Sequence, residues 1–187
     1  MNRSPELPDQ VLDVRPISQH GLLSIEDAAE NRACWYASAM MVLAYRGPLL
    51  PLDLTQLKTV ARLWSNQGVQ PHDLGRLADE AGLEHAAAKQ VLPRMGAAQW
   101  SAALDALGPL MVVLNRRHMI VVRGVVKSGD TWGVVYNDPF TGSSHTQVLL
   151  AFNGSIDTRM PILFRRSRHA APLVLQQPLS APYAVRY

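Results

Sequence analysis

The chain has 187 residues, 48% of them hydrophobic, a formal net charge of +3, and a single cysteine. That length suits one domain with a sizeable core. One cysteine excludes an intramolecular disulfide framework and fits a reducing interior. No apolar run is long enough to cross a membrane, and the sequence pI near 9.3 reflects basic residues that are scattered except at Arg165-Arg166-Ser167-Arg168, so neither membrane insertion nor nucleic-acid binding is expected.

Residues 1–11 read as a loose N-terminal arm, and Met1 to Gln10 lacks the apolar segment of a signal peptide. From Ala33 to Tyr45 no side chain is charged, which predicts a helix apolar nearly all round and therefore buried. Gly47 and Pro48 should end it. Cys34 falls in its first turn, where unpaired amides and the macrodipole favour a thiolate. A lone cysteine on such a helix is ordinarily a small, inert core residue, so its meaning depends on what the chain brings to it.

Pro51 to Glu84 reads as helical, with Leu54, Leu57, Val60 and Leu63 at helix spacing behind a possible cap at Asp53. A second short helix starts at Asp73 or at Pro71-His72, carries Leu74, Leu77, Ala78 and Ala81, and stops at Gly82. His72 and His85 match no ligand spacing, so no metal is expected. Ala86 to Leu92 reads as a strand, and Gly96 to Leu107 as a helix with Trp100, Leu104 and Leu107 on one face. Consecutive strands follow. Leu110 to Leu114 is short and apolar, and His118 opens a β-branched run to Val126. Lys127 to Asp130 supplies a turn and Thr131 to Tyr136 returns. A hairpin turning on Ser128-Gly129 would bring Asn137 and Asp138 close to His118, since residues equidistant from the turn face each other. An imidazole oriented by a carboxylate is the partner a thiol nucleophile needs. His145 falls in a polar turn and reads as a surface residue; Met160 to Arg165 is the last strand. The tail from 167 to 187, with Pro172, Pro178 and Pro182, reads as a draped end or, more sharply, a flap or docking segment. Helices followed by strands make the fold class α+β.

Cys34-Trp35-Tyr36-Ala37 opening an apolar helix, then His118, then Asn137-Asp138-Pro139-Phe140-Thr141-Gly142, resemble the papain-like cysteine peptidases of bacteria, nearest the plant-pathogen effector type and the C39-like domains. The resemblance runs from about Val14 to Phe164. It implies a papain-like catalytic domain over 12–166, with the nucleophile's helix packed on a small antiparallel sheet. It also implies Cys34 as nucleophile, His118 as base and acid, and Asp138 or Asn137 behind the imidazole. These families place a glutamine about half a dozen residues before the cysteine for the oxyanion hole, and here that window has none. Gln19 is the preferred candidate, with residues 20–32 as an enlarged loop, and Asn31 is the alternative. The expected activity is hydrolysis of a peptide or other amide bond without a cofactor. The substrate would be a protein, a peptide or a peptidoglycan-type amide, and a cognate immunity or inhibitor protein would be a partner. A deamidase, an acyltransferase or a catalytically silent binding module are the alternatives. The producer's cytoplasm is the expected location, with delivery into a target cell without a signal peptide as the effector variant.

Overall fold

A computed structural model describes residues 7–20, 33–45, 69–88 and 95–165. In chain order they form β1 (Gln10–Val11), α1 (Cys34–Ala44), α2 (Pro71–Ala81), β2 (Glu84–Ala87), α3 (Ala97–Leu107), β3 (Leu110–Leu114), β4 (His118–Ser128), β5 (Thr131–Asp138), β6 (Ser143–Val148), α4 (Leu149–Ser155) and β7 (Pro161–Phe164). The helix expected around Leu54 to Leu63, Asn31, and the tail from 167 lie outside the described residues.

Every strand pairing is antiparallel, in the order β2-β7-β3-β4-β5-β6, and β1 pairs with β4. The sheet is thus broader than the small one expected. Its centre is apolar on both faces, and the two-residue period of a strand divides its side chains between two cores. Met111, Val113, Met119 and Val121 pack with α1 and with Leu74, Leu77 and Ala78 of α2. Leu110, Val112, Leu114, Ile120 and Val122 pack with Trp100, Leu104 and Leu107 of α3 and with Phe152 of α4. A sheet covered on both faces explains why β3 reads as a continuous apolar run and is buried at every residue.

Among the described helices α1 is the most buried: its residues from Cys34 to Leu43 are all buried, so it needs no polar face. It ends at Ala44 with Tyr45 in extended conformation, ahead of the Gly47-Pro48 stop, which lies outside the described residues. The Arg165 guanidinium donates to the Leu43 carbonyl at 2.7 Å, satisfying one of the orphan acceptors of the last turn. α2 begins at Pro71, and its cap is Gln70 in a reciprocal capping box with Asp73; Gly82 closes it in the left-handed conformation.

Three readings need correction. β2 lies two residues earlier than the strand expected from Ala86. Ser143 to Val148 forms an edge strand rather than extending a turn, and α4 follows it. The arm is also not loose at its end. Gln10 and Val11 pair with Val125 and Gly124, on the flank of β4 beyond the reach of β3, which stops at Val122. The Lys127 amide donates to Asp9 at 2.6 Å, the Leu12 amide to the Arg123 carbonyl at 2.7 Å, and Arg123 Nη1 back to the Leu12 carbonyl at 2.9 Å. The side chain of Gln10 bonds Ser101 and Asp105 of α3.

This close approach requires Gly124, because a Cβ there would stand 2.5 Å from the Gln10 carbonyl oxygen and 2.9 Å from Val11 Cα. Both obstacles are backbone and cannot rotate away. Gly124→Ala should therefore cost about 1–3 kcal/mol of stability and release residues 9–12 from β4. The checks are the denaturant midpoint and faster exchange of the Leu12 amide proton.

Candidate active site

Cys34 is the first residue of α1. Ala33 caps the helix without a side-chain hydrogen bond, and the first turn holds no acidic residue. The amide dipoles at this end are therefore not neutralised by a local carboxylate. Cys34 is buried, with 8% of the residue exposed.

His118 is the first residue of β4 and faces Leu114 across the β3–β4 hairpin. Its side chain is 31% exposed and Nε2 donates to Asp138 Oδ1 at 2.6 Å. That commits one ring nitrogen to the carboxylate and leaves Nδ1 for the thiol. The imidazole pKa is raised above its ordinary 6.5, first by the hydrogen bond to the Cys34 side chain; burial opposes this, and the bond and charge of Asp138 add to it. A thiol, an imidazole and a carboxylate, drawn from α1, β4 and β5, thus meet at one rim of the sheet.

Strand geometry separates Asp138 from its neighbour. The hairpin turns on Gly129-Asp130, with Ser128 opposite Thr131, rather than on Ser128-Gly129, and the register shifts at a bulge between Val122 and Gly124. Val121 consequently pairs with Asn137. Continuing that register sets Ile120 opposite Asp138, and His118 reaches the carboxylate diagonally. Side chains alternate along a strand, so Asp138 and Asn137 point to opposite sides, and Asp138 is the one bonded to the imidazole. Asn137 is wholly buried. It donates to the Val14 carbonyl at 2.8 Å and accepts from Ser144 Oγ at 2.6 Å. Its amide ties the N-terminal segment to the sheet and has no part in the imidazole's contacts.

The turn after β5 holds Asp138 in place. Asp138 Oδ1 also accepts from the Phe140 amide at 2.8 Å. The Asp138 carbonyl accepts from the Gly142 amide at 2.9 Å and from Thr141 Oγ1 at 3.3 Å. Sequence reasoning missed what backs this turn. Thr141 Oγ1 and Ser143 Oγ share hydrogen bonds of 2.7 and 3.1 Å with His145 Nε2, and the His145 ring stacks on Tyr136 at 5.7 Å. His145 is thus a part-buried member of β6 rather than a free surface residue. The signal was the β-register itself, since Tyr136 pairs with His145 and Asp138 with Ser143.

The N-terminal segment arrives at the same turn. The Gln19 amide donates to the Pro139 carbonyl at 2.8 Å, and the Gln19 side chain is buried at 1% exposure. Ser18 presses on Gly142, where an added Cβ would lie 3.0 Å from Ser18 Cβ in a backbone already at φ +65°. His20 Nε2 donates to the Phe140 carbonyl at 3.1 Å, with the two rings edge to face. The structure therefore carries Gln19 to the residues flanking Asp138, while Asn31 lies outside the described residues.

Among the described residues, no group of three His, Cys, Asp or Glu side chains could hold a metal ion, and no helix is long and apolar enough to cross a membrane. No curated protein matches the chain. A family model described as "Papain-like cysteine protease AvrRpt2" matches residues 19–157, a span that holds the thiol, the imidazole, the carboxylate and Gln19; the chain belongs to that family of papain-like cysteine proteases.

Proposed function

We propose that the chain is a thiol hydrolase that cleaves a peptide or related amide bond through Cys34, His118 and Asp138. The observation that carries this reading is the 2.6 Å bond from His118 Nε2 to Asp138, with the Cys34 side chain close enough to the same ring to raise its pKa. The sulfur attacks the acyl carbon, the carbonyl π electrons move to oxygen, and the tetrahedral centre collapses as His118 gives its proton to the leaving amine. Water, deprotonated by His118, then cleaves the thioester and restores the thiol. Asp138 holds the imidazole orientation throughout. The Cys34 backbone amide and the Gln19 side chain receive the oxyanion, an effect worth about 3 kcal/mol per donor.

A protein or peptide is the favoured substrate. A role as an effector acting in another cell is in keeping with the family, and a cognate inhibitor in the producer would be its partner. The competing reading is a silent binding domain, favoured by the low exposure of Cys34.

Iodoacetamide separates the two. At pH 6 a free thiol with a pKa near 8.5 is less than about 1% ionised, so an inert Cys34 should hardly react. Because the His118 pKa is raised, its cation persists at pH 6 and the ion pair should be alkylated readily. The cationic partner is lost as pH climbs through the raised value. His118→Gln removes the cation at every pH and should slow alkylation at pH 6 on the order of 10²-fold. Equal rates in the two proteins would overturn the proposal.

A further inference from the structure

The turn that delivers His118 is built in an uncommon way. Asn115 and Arg116 both sit at positive φ, 48° and 64°, and the Arg117 amide closes the turn on the Leu114 carbonyl at 3.1 Å. Glycine takes the second of these positions without strain, whereas a residue with a Cβ is strained there. An arginine kept at such a position directs attention to what its side chain does.

Arg116 lines a recess of about 320 Å³ together with Asn115, Ser155, Asp157, Thr158 and Arg159. Asp157 is buried and its carboxylate is filled. Arg159 Nε and Nη2 donate to it at 2.9 and 2.7 Å, and the Arg159 amide at 3.1 Å. This fork holds the Arg159 guanidinium still while its side chain remains 62% exposed. The Asp157 carboxyl is held below the usual carboxylate range chiefly by the Arg159 hydrogen bonds, with a lesser contribution from the charge of Arg116. Among the described residues Arg116 has neither a hydrogen bond nor an ion pair of its own. Two guanidiniums against one carboxylate leave the recess with a net positive charge and one cation uncommitted. Chain geometry allows at most about 7 Å between the Cα atoms of Arg116 and His118, so the turn that lines the recess is the one that carries the imidazole.

The geometry points to this recess as a subsite for an acidic side chain of the substrate, with Arg116 as the residue that sets the preference and Arg159 as a fixed second wall. The assignment rests on the thiol-hydrolase reading for its place along the substrate, but its test does not need turnover.

Cys34→Ala protein is titrated with two fluorescein-labelled short peptides, one of alternating glutamate and alanine, the other with glutamine in place of glutamate, and anisotropy is read. A partly exposed charge pair is worth up to about 1 kcal/mol, so the acidic probe should bind about fivefold tighter, and high salt should erase the difference. Adding Arg116→Gln or Arg116→Gly should bring the ratio to about one, while Arg116→Gly also raises thermal stability by relieving the backbone. Equal binding of the two probes, or a preference that survives both substitutions, would overturn the subsite. Failure of the wild-type chain to cleave any peptide would instead sink the hydrolase reading and leave this comparison intact.

Discussion

Cys34→Ala should abolish turnover and leave the fold in place. Loss of the nucleophile removes the covalent route and costs on the order of 10⁴–10⁶ in kcat. The structural cost is small by comparison. One sulfur atom leaves the first turn of α1, while the helix keeps Trp35, Met41 and Val42 in the core. That amounts to about 1 kcal/mol. The inert-core alternative predicts the reverse, a change confined to stability. Cleavage of a proteome-derived peptide mixture and a denaturation curve on the same two proteins give both quantities. Where no substrate has been found, expression of the wild type and the alanine form in cytoplasm and in periplasm gives the same contrast as toxicity. Toxicity equal in the two forms, with the protein folded, would remove the sulfur from the chemistry.

How much of this was legible in the sequence depended on what holds each element. β3 was readable to the residue because both faces of the strand are buried and the apolar run has nothing to interrupt it. α3 showed its Trp100, Leu104 and Leu107 stripe because that face is buried while Gln99, Ala102 and Asp105 are exposed. β6 was unreadable because it is an edge strand of Ser, His, Thr and Gln, held by pairing to β5 rather than by apolar alternation, and its composition is that of a turn. The segment from Asp9 to Gln19 carries no periodicity at all. Its position comes from backbone bonds to β4 and to the Asp138 turn, and from the missing Cβ of Gly124, none of which leaves a pattern along the chain. At the site, residue types and their order along the chain pointed to Cys34, His118 and the Asn137-Asp138 pair. The choice within that pair was closed to sequence reasoning, because the bulge near Arg123 shifts the register and so decides which of two adjacent side chains meets the imidazole. The candidate oxyanion residue was open for a similar reason: Gln19 is distant in sequence from Cys34, and its segment is held to the Asp138 turn by the bond of its amide to Pro139 and by the packing of Ser18 on Gly142 rather than by any local helix.

The Asn137 and Asp138 pair should accordingly separate catalysis from stability. Asp138→Ala deletes the acceptor of the His118 bond and frees the imidazole to turn, with an expected fall in kcat/KM on the order of 10²–10⁴. Its stability cost should be modest, since Asp138 is part-exposed and the Gly142 and Thr141 bonds fall on its backbone carbonyl. Asn137→Ala does the opposite. It strips a buried donor from the Val14 carbonyl and an acceptor from Ser144, which costs about 1–3 kcal/mol of stability, while the folded fraction should turn over within about threefold of wild type. Asp138→Asn is the informative intermediate. The His118 and Phe140 bonds both end on the same carboxylate oxygen, Oδ1, so an amide carbonyl in that place preserves both acceptors and loses only the charge. It should therefore retain far more activity than the alanine form, and its His118 should titrate lower, because the coulombic support from Asp138 is gone. Initial rates corrected for folded fraction, and the imidazole titration followed by NMR, measure these effects separately. A loss of kcat confined to Asn137→Ala would mean that the strand parity assigned to β5 is wrong by one residue.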